Sequence, residues 1–148
     1  MNKRYHFEEG SIELPGGFHD RSTNIFVYGN TTPSPLNLNI ARDVLLDGET
    51  LSAYVDRQVT MLTKNLHGYA MNQRAPAVLG AGSAATAGEQ ITSTYKSRTQ
   101  TIHQRQAAFP QGDNVALIFS CSSIRRFDAE QNALWNQWLA SFRAPESD

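Results

Sequence analysis

The chain has 148 residues and a mass of 16.4 kDa, a length that suits one domain able to build its core without cross-links. Thirteen Lys and Arg against fourteen Asp and Glu leave a net charge of −1, which excludes a general polyanion binder. No window approaches the roughly 20 apolar residues of a membrane-spanning helix.

Charged residues make up only 18%, below the roughly 25% usual for soluble domains, whereas Ser, Thr, Asn and Gln together account for 42 positions. Hydroxyls and amides therefore supply much of the polarity. A single Cys121 allows no internal disulfide and fits a reducing compartment. The opening residues lack the apolar stretch of a secretory signal, and no lipidation signal is present, so a cytoplasmic location is expected.

In chain order, residues 5–9 and 11–14 read as short strands around Gly10, ended by Pro15-Gly16-Gly17. Residues 22–28 alternate, with Ile25 and Val27 on one face and Phe26 and Tyr28 on the other. Both faces are apolar, which predicts a strand covered on both sides, or covered on one and adhesive on the other. A turn over residues 29–35 follows. Residues 36–44 then set Leu36, Leu38 and Ile40 against Asn37, Asn39 and Ala41, and the apolar set is expected to face a core.

The clearest helix covers residues 50–66. Leu51, Val55, Val59, Leu62 and Leu66 form one stripe edged by Tyr54, and Gln58 falls inside that apolar arc. Residues 69–79, 90–101, 102–109 and 114–121 read as an antiparallel meander, with a turn at Pro110-Gln111-Gly112-Asp113. The last element is a helix over residues 129–142, opened by an Asp128/Gln131 capping box and carrying Leu134, Trp135, Trp138, Leu139 and Phe142. The order strands, helix, meander, helix is that of an α+β fold with an antiparallel sheet flanked by helices.

The motifs with chemical potential fail their structural requirements. Gly80-Ala81-Gly82-Ser83-Ala84-Ala85 has the outline of a dinucleotide fingerprint, but that motif needs a βαβ unit and an acid about 20 positions on; a Gly/Ala hairpin is the expectation. His6, His19, His67 and His103 are scattered and offer no helical ligand pair for a metal. Cys121 near a strand end reads as a small buried thiol, although a nucleophile with distant partners keeps the same sequence signature. Trp135 and Trp138 stand on a core stripe rather than on a base-stacking platform. Two features resist a purely structural reading: Gln58 in its apolar arc, and strand faces carrying Asn37, Asn39, Thr92, Thr94, Gln100 and Gln104 close to Ile25, Val27 and Ile102.

Along its whole length the chain resembles the Eag-type effector-associated chaperones of bacterial type VI secretion. The resemblance is carried by the opening Tyr5-His6-Phe7-Glu8-Glu9-Gly10-Ser11-Ile12-Glu13-Leu14-Pro15, by Asp20-Arg21-Ser22-Thr23-Asn24-Ile25-Phe26, by the helix with Gln58, by the polar strand over residues 90–101 and by the Trp135/Trp138 helix. It implies a PsbP/Mog1-like fold and a homodimeric, non-enzymatic cytoplasmic chaperone without cofactor or ATP. Such a chaperone shields the N-terminal transmembrane segments of a PAAR-containing toxin. The resemblance further implies an effector-helix surface made of Ile25, Val27, Asn39, Ala41, Gln58, Gln100, Ile102 and Gln104, with the register of each strand deciding which of them share a face. The alternative is a Mog1-like regulatory module that binds a soluble partner.

Overall fold

The computed structural model describes residues 3–30 and 36–145; most of the expected 29–35 turn lies outside them. The chain opens with a two-stranded antiparallel hairpin, β1 (Lys3–Phe7) and β2 (Gly10–Leu14). The main sheet takes β3 (Asn24–Val27), β4 (Leu36–Val44), β5 (Ala70–Leu79), β6 (Thr86–Ser97), β7 (Gln100–Pro110) and β8 (Val115–Ser123) in the spatial order β3-β4-β8-β7-β6-β5, and every neighbouring pair is antiparallel. Two helices, α1 (Leu51–Asn65) and α2 (Ala129–Ala140), cover opposite faces of it. The fold is therefore α+β, an antiparallel sheet flanked by helices.

Side-chain alternation assigns each face its helix. Leu36, Leu38, Ile40, Ala77, Leu79, Ala107, Phe109, Leu117, Phe119 and Cys121 point to the side of Trp135 and Leu139 on α2. Ile91, Ala108, Ala116 and Ile118 point the other way, to Tyr54, Val55 and Val59 on α1. The period-two pattern of residues 36–44 thus delivers its apolar set to the core, as its alternation dictates.

Local chemistry fixes the helix ends. The Thr50 side chain accepts from the Ala53 N–H at 3.1 Å to start α1. At α2 both halves of the capping box form, with the Gln131 N–H donating to Asp128 Oδ1 at 2.8 Å and the Asp128 N–H donating to Gln131 Oε1 at 3.2 Å. The Trp135 indole donates to Gln90 Oε1 at 2.8 Å, so the largest core side chain of α2 is also satisfied as a donor. The Gly80-to-Ala85 segment joins two antiparallel strands through a 3-10 turn over Gly82–Ala84, which is not the strand-to-helix turn of a dinucleotide site.

Two sequence expectations are corrected. The second strand of the meander begins at Thr86 rather than residue 90, and it turns at Arg98-Thr99 rather than between 101 and 102. Arg98 takes the left-handed conformation there, with φ of 58°. Nor is β3 covered: Ile25, Phe26, Val27 and Tyr28 are 65%, 51%, 59% and 70% exposed, because neither helix packs over them at this edge strand, which pairs with β4 alone among the described residues.

Candidate functional site

Helix α1 covers only one end of its sheet face. It lies over Ile91, Ala108, Ala116 and Ile118, and the rest of that face is floored by short polar side chains. Two cross-strand rows define the floor. One runs Val27, Asn37, Ser122, Gln104, Ser93 across β3, β4, β8, β7 and β6; the next runs Ile25, Asn39, Ser120, Gln106, Ile91. Residues directly opposite in neighbouring strands share a face, so the eight positions implied by the resemblance can be placed individually.

Ile25 and Val27 on β3, Asn39 and Ala41 on β4, and Gln100, Ile102 and Gln104 on β7 all lie on the α1 side. Gln58 joins them from α1, half-buried, where it lines a small cavity with Tyr54, Ile91, Gln106, Ala108 and Ile118. Gln100 and Ile102 belong to a wider groove of about 690 Å³ shared with Asn37, Tyr95, Ser122 and Ile124. The eight residues are spread along one face rather than gathered in one pocket.

Thr92 and Thr94 do not belong with them. Their partners Arg105 and His103 alternate with Gln104 and Ile102, so both threonines open on the α2 side. In their place the floor includes Ser93, Tyr95, Gln106, Ser120 and Ser122, which sequence reasoning missed. Moving the hairpin turn to Arg98-Thr99 supplies the missing signal, since the Ser97–Gln100 pairing brings Tyr95 opposite Ile102 and Ser93 opposite Gln104.

The floor carries unmatched polarity. Asn37 Oδ1, Asn39 Oδ1, Gln104 Oε1 and Ser93 Oγ are shielded from solvent and meet no hydrogen-bond partner among the described residues. Each such group costs about 1–3 kcal/mol, and buried polar atoms in folded proteins are ordinarily satisfied. Four of them lie on one sheet face. Ile25 and Val27 border it as exposed aliphatic groups.

Several ionisable groups elsewhere have structural roles. The Arg57 guanidinium, bonded to Glu49 at 2.9 Å, holds that carboxylate below its usual range. Arg74 ties α1 to the sheet by bonding Glu89 at 2.9 Å, Asp56, and the Ser52 carbonyl at 2.9 Å. Burial pushes the Tyr54 phenol up, and the phenol donates to Asp43 Oδ2 at 2.7 Å. Burial likewise raises the Cys121 thiol to about 11, which leaves it protonated and a poor nucleophile. Among the described residues, no three His, Cys, Asp or Glu side chains converge as metal ligands, and no helix is long and apolar enough to cross a membrane.

No curated protein matches the chain. Among solved structures it is similar to a Pseudomonas aeruginosa protein of unknown function that has been suggested to be a regulator, at 18% identity and a TM-score of 0.75 over 99% of each chain; at that identity the likeness establishes the fold alone. The DcrB family model matches residues 9–141, a span that takes in the main sheet and both helices. The chain belongs to the DcrB family.

Proposed function

We propose that this chain is a cytoplasmic chaperone of the Eag type. It covers the N-terminal transmembrane helices of a PAAR-containing toxin effector until the effector is loaded onto a type VI secretion spike. It acts by binding alone, as a homodimer, without cofactor or ATP. The observation that carries the reading is the set of unpartnered polar atoms on Asn37, Asn39, Gln104 and Ser93 among the described residues, beside exposed Ile25 and Val27 on a sheet face half-covered by α1.

A lipid-adapted helix needs such a surface in water. Its backbone is satisfied internally, and its outward side is apolar, so aliphatic contact must cover most of it. Its packing stripes also carry small and hydroxyl residues that associate with Ser, Thr, Asn and Gln on other helices. An Asn or Gln terminal torsion is broad, so the floor amides can turn their oxygens toward an incoming hydroxyl or a close Cα–H.

The edge position of β3 supports the homodimer. Three exposed apolar side chains in a row, Ile25 to Val27, are the kind of edge strand that proteins otherwise protect.

Co-expression with the N-terminal segment of a PAAR-domain effector tests the reading. The wild-type chain is expected to hold the segment in solution and co-purify with it. The Ile25→Asp/Val27→Asp double variant is expected to keep its circular dichroism spectrum and lose the segment. Full retention by a folded double variant would contradict the groove. Selective binding to a folded soluble domain, with none to an apolar helix, would favour the regulatory module instead.

A further inference from the structure

The α2 side of the sheet holds a second feature, independent of the groove. A pocket of about 330 Å³ opens beside the entry to α2, lined by Thr92, Thr94, His103, Arg105, Arg126 and Asn132. Arg105 projects from β7 with its guanidinium carbon 4.4 Å from the Phe127 ring centre and 5.8 Å from that of Trp135. One terminal nitrogen donates to Asn132 Oδ1 at 2.6 Å. Its Nε is shielded from solvent and has no acceptor among the described residues.

No carboxylate among the described residues answers this charge. The other half-buried guanidiniums in the fold have acids in contact, Arg57 with Glu49 and Arg74 with Glu89 and Asp56. Arg105 and Arg126 enter no ion pair among the described residues. His103 lines the same pocket and is held below its ordinary pKa by burial and by the nearby Arg126 and Lys96 cations, with no anion acting in the other direction. Burying a guanidinium without a counterion is costly. A structural role in stacking on Phe127 explains the aromatic contact but leaves the Nε donor and the neighbouring cations without a partner.

We infer that this pocket binds a small oxyanion, a phosphate or carboxylate group, between Arg105, His103 and Arg126. A guanidinium fork matches both oxyanions, and the Thr92 and Thr94 hydroxyls line the same space as further donors. The net charge of −1 and the confined pocket suit a single anionic group rather than a nucleic-acid backbone.

Titration of the full chain with sodium phosphate and, separately, sodium acetate, followed by two-dimensional amide NMR, tests this. Sodium chloride at matched ionic strength is the control. Saturable shifts confined to Thr92, Thr94, His103, Arg105 and Asn132 are expected, and the arm that saturates at lower concentration assigns phosphate or carboxylate. Arg105→Gln is expected to weaken binding by about tenfold or more. Arg126 is exposed, so Arg126→Ala preserves the fold and is expected to weaken binding severalfold whether or not the Arg105 variant folds. Absence of saturation in both arms, an equal response to chloride, or unchanged affinity in Arg126→Ala would overturn the site.

Discussion

Three residues of the packed interior, Cys121, Tyr54 and Gly88, are each tied to one role by their surroundings. Cys121 is 3% exposed with its thiol raised to about 11, so iodoacetamide is expected to leave it unmodified in the folded protein and to alkylate it in denaturant; rapid alkylation of the native chain would restore the nucleophile reading. Tyr54 is closed off under α1 and spends its hydroxyl on Asp43. Its replacement by Phe is expected to cost about 1–3 kcal/mol, read as a lower urea midpoint with an unchanged slope. Gly88 is required by space. A Cβ there would stand 2.2 Å from the Ala108 carbonyl oxygen and 2.4 Å from the Phe109 ring. Since both belong to the packed sheet centre, Gly88→Ala is expected to destabilise by about 1–3 kcal/mol by the same measurement.

At the scale of elements, legibility in the sequence followed the strength of local signals. The α1 stripe, the alternation of residues 36–44 and the Asp128/Gln131 box each rest on a mechanism confined to one element, and all three stand in the structure. Asp128→Ala removes the cap and is expected to cost about 1 kcal/mol, with thermal melting as the readout. The β6–β7 hairpin was illegible for a physical reason. Its two-residue loop is Arg98-Thr99, with no Gly, Asn, Asp or Pro to announce a left-handed residue. Misplacing that turn put Thr92 and Thr94 on the α1 face and left out Ser93, although Gln100, Ile102 and Gln104 kept their correct parity because they follow the turn. Gln58 was visible as an amide out of place in an apolar arc; that it lines a cavity with Gln106 depends on tertiary packing that no local pattern encodes.

For the whole molecule, the two sheet faces carry opposite unmet needs. On the α1 face three amide oxygens and a hydroxyl lack partners, and on the α2 face Arg105 and Arg126 enter no ion pair, among the described residues. The second has a pH signature. His103 is depressed in the folded state, so above the ordinary histidine value of about 6.5 it is neutral in both states and carries no penalty. As the pH falls through its folded value, the charge is forced into the folded state, and the stability present at higher pH is lost. In buffer free of phosphate and carboxylate, the urea midpoint of the wild type is expected to drop more between about pH 7 and pH 5 than that of His103→Asn. Equal losses would remove His103 as a contributor.

The α1 face carries the functional account, and adjacent residues of β3 separate it cleanly from the alternative. Ile25 opposes Asn39 on the α1 side, whereas Phe26 opposes Leu38 on the α2 side, and both are more than half exposed. A photo-crosslinking residue placed at position 25 or 26, in separate full-length chains co-expressed with the N-terminal segment of a PAAR-domain effector, reads directly which face holds the helix. A crosslink to the effector segment is expected from position 25, with little or none from position 26. Crosslinking from position 26 alone, or from neither position while the complex stays intact, would contradict it.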